Sequence, residues 1–151
     1  MASVYLDEDG WYKLSYGAQD DIITTVELGR SYVGSGPNYY VDENKLYAMD
    51  YSNYYSEVIV YIVFWDGTLI SKNNYESTDF TIQHHGFLYI LCNNYSSNQA
   101  FIYRDNVLIW QIDGVIVNPN DIMTNDDNMS FMANSDRYLI GIDGNVKHVQ
   151  E

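Results

Sequence analysis

An adjacent histidine pair, a single cysteine and two short acidic clusters are the residues whose types and spacing bear on chemistry. His84 and His85 stand next to each other in "QHHG". In an extended strand, neighbouring side chains point to opposite faces, so the two rings would not reach one metal ion, and a polar hairpin tip is the simpler reading. Cys92 follows one strand's length later, which raises a Cys–His pair as a candidate, but a lone cysteine closing the apolar run "LYILC" reads first as a small core residue. His148, near the C-terminus, is expected in solvent. Asp7, Glu8 and Asp9 form one acidic cluster and Asp42 and Glu43 another. Neighbouring carboxylates suit Ca²⁺, which takes several oxygen ligands, yet the later copies of the repeat that carries them put Gln83-His84-His85 and Asn134-Ser135-Asp136 at the same first turn, so solvated turn residues are the better account and no metal site is assigned. Tyr51, Tyr54, Tyr55, Tyr75 and Tyr95 sit among asparagines and serines, the adaptable chemistry of recognition surfaces. These tyrosines, with Asp7, Glu8, Asp9, Asp42 and Glu43, are the candidate binding residues. No catalytic residue and no cofactor are assigned.

The elements that position these groups are read from a repeat. "YLDEDGWYKLSY", from Tyr5, returns 35 residues later as "YVDENKLYAMDY", from Tyr40, pairing Asp7 with Asp42, Glu8 with Glu43 and Tyr12 with Tyr47. Another 42 residues on, Leu46-Tyr47-Ala48-Met49 meets Leu88-Tyr89-Ile90-Leu91, and Tyr61 meets Tyr103. A weaker copy runs from Ser130 to Asp143. Each copy breaks into short apolar strands at turn residues: Asp66-Gly67, Gln83 to Gly86, and Asp105-Asn106. "DDIITTVEL" aligns with "SEVIVYIVF" and is rich in β-branched residues, so it is a predicted strand. "NDDN", Asn125 to Asn128, is expected to end a long exposed linker that starts at Gly114.

A four-stranded meander recurring at this period resembles a β-propeller blade, at the level of architecture and of no particular family. The resemblance implies an all-β, antiparallel single domain over 1–151, with units at about 3–37, 38–77, 78–128 and 129–151: a small or partial propeller of about 3.5 blades. The alternative is a β-sandwich or barrel made of the same hairpins. A short last unit would leave sheet surface to be covered by a partner protein or a second copy.

Charge and composition narrow the function. The net charge of −14, from 21 acidic against 7 basic residues, opposes direct binding to nucleic acids or anionic membranes. A single cysteine excludes an intrachain disulfide. The N-terminal residues lack a basic segment followed by an apolar one, and "VIVYIVFW" is too short to span a bilayer as a helix. A cytoplasmic or virion-associated protein, not secreted by a classical signal, is therefore expected. Its bias to Asn, Asp, Ile and Tyr is of the kind found in AT-rich genomes, phage genomes among them. The function expected is a non-enzymatic protein-binding or assembly module. A glycan-binding propeller is one alternative, and an acidic nucleic-acid mimic that blocks a basic host protein is the other.

Overall fold

The computed structural model describes residues 1–17, 24–30, 38–51 and 57–149. Among these the chain is all-β, with fifteen strands in four antiparallel sheets and one short 3₁₀ turn, Pro119–Asp121. Sheet 1 comprises β1 (Ser3–Leu6), β2 (Trp11–Tyr16) and β3 (Thr24–Arg30). Sheet 2 comprises β4 (Asn38–Val41), β5 (Lys45–Tyr51), β6 (Val58–Phe64) and β7 (Leu69–Tyr75). Sheet 3 comprises β8 (Thr78–His84), β9 (Phe87–Asn94), β10 (Gln99–Arg104) and β11 (Val107–Asp113). Sheet 4 comprises β12 (Met123–Thr124), β13 (Asn128–Ala133), β14 (Asp136–Gly141) and β15 (Val146–Val149). Every sheet is an open meander with two edge strands, and none closes into a barrel. No helix among the described residues is long and apolar enough to cross a membrane.

The repeat extends to an irregularity shared by sheets 2 and 3, where one apolar residue on the fourth strand has no partner across the ladder, Ile70 and Ile109; sheet 1 has a bulge at Leu28, on its third strand against β2. Such a bulge bends its strand and increases the local twist. The paired tyrosines follow in part. Tyr47 and Tyr89 are buried at the same register, whereas Tyr12 is half-buried and pairs with Leu6 as Leu46 does with Val41, so the longer Asp7–Gly10 turn puts Lys13 at the place of Tyr47 and the equivalence holds between sheets 2 and 3 alone.

Sheet 4 departs from the expectation of a short last unit, because it is four-stranded. Met123 and Thr124, assigned by the sequence reading to a linker, pair with Ser130 and Met129. The reason is local: the Asn125 Oδ1 accepts from the backbone N–H groups of Asp127 and Asn128, which makes "NDDN" a hairpin turn. Asn134-Ser135 is then the second turn of this sheet and not its first. The shortfall that called for a cap over the last unit is absent, and among the described residues sheet 1 is the three-stranded one.

The chain divides into two compact units, Met1–Tyr75 and Glu76–Glu151. In the first, Leu46 and Ala48 of β5 pair with Val63 and Tyr61 of β6 and join Leu14 and Leu28 of sheet 1 in one buried cluster. Tyr47, Met49, Val60 and Ile62, on the opposite face by strand alternation, are buried as well. That explains why "VIVYIVF" is a continuous apolar run: a strand covered on both faces shows no alternation. The turn after β6 is pinned by close approach of backbone. Gly67 has φ of +98°, and an added Cβ would stand 1.8 Å from the Gly17 carbonyl oxygen, so only glycine fits.

In the second unit, Leu91 and Ile102 of sheet 3 face Met129, Phe131 and Ile140 of sheet 4. β13 alternates buried and half-buried residues along its length, the pattern of a strand with one face on the core. Trp110, Phe131 and Tyr138 form an aromatic cluster, Trp110 edge-on to Phe131 at 4.8 Å and Phe131 stacked on Tyr138 at 5.3 Å. Three two-residue hairpin turns here hold both central residues at positive φ: His85-Gly86, Asp105-Asn106 and Asn134-Ser135. That is the turn geometry matched to strand twist.

Candidate functional site

The recurring first hairpin turn of each sheet gathers most of the groups singled out by the sequence. In sheet 1 it spans Asp7 to Gly10. The Asp7 Oδ1 accepts from the backbone N–H groups of Asp9 and Trp11, both at 2.9 Å, and its Oδ2 lies 3.1 Å from the Lys13 ammonium. The Trp11 N–H is the largest cause holding the Asp7 carboxyl below the usual carboxylate value, with Lys13 and the Asp9 N–H adding to it. Asp7 is thus a turn-forming residue, while Glu8 and Asp9 are exposed with their carboxylates outward. In sheet 2 the turn spans Asp42 to Asn44, closed by the Asp42 N–H on the Lys45 carbonyl at 2.9 Å. The Trp65 indole donates to the Asp42 carbonyl at 3.3 Å, and Glu43 is exposed.

In the second unit the first turns of sheets 3 and 4 touch. His84 and His85 reach the backbone carbonyls of Asn125 and Asp126, the former at 2.8 Å. A carbonyl only accepts, so both Nε2 atoms carry hydrogen in these bonds. The histidine pair therefore fastens the β12–β13 turn and is more than a polar tip. Asp126 and Asp127 make this turn acidic, so three of the four first turns carry exposed or half-exposed carboxylates. Among the described residues no group of three or more His, Cys, Asp or Glu is placed to hold a metal ion.

Cys92 and His84 do not meet. Cys92 pairs with Thr78, and His84 with Phe87, at opposite ends of the β8–β9 ladder. The thiol is buried, and desolvation pushes its pKa up to about 11. His148 is less free than expected: its ring centroid lies 5.1 Å from that of Tyr138, and Nε2 is 3.5 Å from Asp136.

The tyrosines separate. Tyr95 is 59% exposed and its hydroxyl donates to Asp79 Oδ2. Tyr75, expected in a polar loop, instead ends β7 opposite Val58 and is 3% exposed, so the surface role assigned to it is withdrawn. Tyr51 closes β5. Tyr54 and Tyr55 lie outside the described residues.

Two residues that carry much of the second unit were not singled out from sequence. Asn93 is fully buried and bonded to Val117 and Asp79; the signal for it is an amide at the end of the apolar run "FLYILC". Val117, also fully buried, anchors the stretch from Gly114, which is otherwise exposed or half-exposed. Arg104 is the other residue. Its guanidinium donates to the carbonyls of Ile142 and Asp143 at 2.8 and 3.0 Å and lies 3.5 Å over the Phe87 ring. It clamps the β14–β15 turn of sheet 4 from β10 of sheet 3. A scan against models of known protein families finds no match, and a search of curated proteins finds none.

Proposed function

We propose that this chain is a non-catalytic protein-binding module whose acidic hairpin turns engage a basic surface of a partner protein, and that its meanders are blades of a small propeller-like array. The observation that carries the reading is the recurrence of one surface device. A first strand with exposed apolar side chains runs into an acidic turn: Leu6 (52% exposed) before Asp7, Glu8 and Asp9; Val41 (51%) before Asp42 and Glu43; and Met123 (60%) two residues before Asn125, Asp126 and Asp127. An apolar contact flanked by carboxylates suits a partner with lysines and arginines around an apolar centre. The net charge of −14 favours the same partner through long-range attraction. A nucleic-acid-handling protein is a natural target, its basic, phosphate-binding site blocked by this acidic chain. Tyr95 supports a glycan-binding reading in a smaller way, since an exposed ring held by a carboxylate is a stacking platform for a sugar.

Purification of the tagged protein from its host, with elution by salt, tests the proposal. The expected result is a basic protein released as ionic strength rises, because attraction between exposed charges is screened over about 8 Å at physiological salt. A complex unaffected by salt, or capture on a glycan array with no protein partner, overturns it.

A further inference from the structure

We infer that the outer edge of β11 is a strand-addition site for an extended basic segment of the partner protein, an inference that rests on the binding-module reading above. β11 is an edge strand of sheet 3. It has seven residues, about 23 Å at a rise of about 3.3 Å per residue. Edge strands expose unpaired backbone N–H and C=O groups, and proteins usually blunt them by shortness, charge or proline. Among the described residues the other edges follow that rule. β12 has two residues and β1 and β4 four each, while β3, β7, β8 and β15 carry Glu27, Lys72, Asp79 and Lys147. β11, "VLIWQID", has no proline and no charge before its last position, and it leaves Val107 63% and Leu108 46% exposed. Its one irregularity, the bulge at Ile109, leaves the ladder regular from Trp110 to Asp113.

Charge selects the occupant. From Asp105 to Asp136 the chain contains six aspartates and no lysine, arginine or histidine; Asp105 lies in the turn before β11 and Asp113 ends the strand. A second copy of the chain would bring like charges together along the ladder, whereas a lysine- or arginine-bearing strand would meet opposite ones. Backbone hydrogen bonds would supply affinity, Val107 and Leu108 an apolar contact, and the aspartates the preference for a basic sequence.

The test uses the full chain and an acetylated heptapeptide of alternating lysine and valine, with a control in which glutamate replaces lysine. Amide hydrogen exchange followed by NMR is the readout. The lysine peptide is expected to slow exchange at alternate residues between Val107 and Asp113, the glutamate peptide to do nothing, and the double variant V107K/L108K to bind the lysine peptide about tenfold or more weakly. Salt-sensitive binding of the lysine peptide without protection in β11 overturns strand addition and leaves the acidic-module reading standing. Equal protection by both peptides leaves strand addition standing and overturns the acidic reading. No binding of either peptide at low salt overturns both.

Discussion

The side-chain amide of Asn93 and the backbone of Val117 form a reciprocal pair: Nδ2 donates to the Val117 carbonyl at 2.7 Å, and Oδ1 accepts from the Val117 N–H at 3.0 Å. Both residues are fully buried. The amide thus does for Val117 what a neighbouring strand would do. It satisfies a donor and an acceptor that no sheet reaches, while its second N–H goes to Asp79 at 2.9 Å.

Replacing Asn93 by alanine is expected to strand both groups of Val117 away from water. At about 1–3 kcal/mol for each buried unsatisfied group, the variant should lose several kcal/mol of stability by denaturant unfolding. Asn93→Asp keeps the acceptor but loses both donors beside Asp79, so it should lose at least as much. A neutral result for alanine would show that Val117 finds other partners.

Tyr47 and Tyr89 occupy equivalent buried positions, while Tyr12 is half-buried. Tyr47→Ala and Tyr89→Ala should each lose about 3–5 kcal/mol, and Tyr12→Ala clearly less, in unfolding of the purified variants. Equal losses at all three would mean that Tyr12 is covered as fully as the others.

The Arg104 clamp leaves no room at Gly144, where φ is +82° and an added Cβ would lie 2.3 Å from the guanidinium Nη1. Gly144→Ala should therefore destabilise by about 1–3 kcal/mol and speed amide exchange around Asn145. Arg104→Lys, which loses the planar fork, should release the same turn.

Two carboxylates are expected to respond to pH in opposite senses. The folded-state value of Asp7 is lowered, first by the Trp11 N–H. Its contribution is present above the unfolded value of 3.8 and is lost as pH falls through the lower folded value. Asp50 is raised, by burial first and by Glu27 second. Its favourable contribution exists below the unfolded value and disappears as pH rises through the folded one. Asp50→Asn should thus stabilise the protein at pH 7 relative to wild type and lose that advantage in acid, whereas Asp7→Asn should destabilise it at pH 7 and converge with wild type in acid. Unfolding curves at several pH values decide both.

Glu8 and Asp9 are exposed, whereas Asp7 builds its turn. Glu8→Lys with Asp9→Lys should slow association with the basic partner and leave the melting temperature nearly unchanged. Asp7→Lys should lower the melting temperature as well. A double variant that associates at the wild-type rate would remove these turns from the interface.

Much of the fold is legible in the sequence because strands and turns are local. Turn pairs such as Asp105-Asn106 and the spacing of Tyr47 and Tyr89 reveal hairpins and their repetition. Where reading by pattern misses, the cause is a partner distant in sequence. Asn125 to Asn128 looks like a polar linker until Asn125 caps its own turn and Thr124 finds Met129. His84 and His85 look like a tip until they reach carbonyls 41 residues away. Tyr75 looks like a loop residue until β7 buries it.

By itself the sequence determined the all-β character, the period of the meander and the acidic charge, since these follow from side-chain type, backbone preference and composition. Only the tertiary structure decided which polar groups are spent internally and which face solvent. Asp7, Asn93, Arg104 and the two histidines are drawn into bonds with backbone groups, whereas Glu8, Asp9 and Glu43 are left exposed. The physical reason is that backbone groups without a ladder partner, buried at Val117 and exposed or half-exposed at the turns, bond to whichever side chain the fold brings within reach. That reach is set by how the sheets pack, which no local stretch of residues encodes.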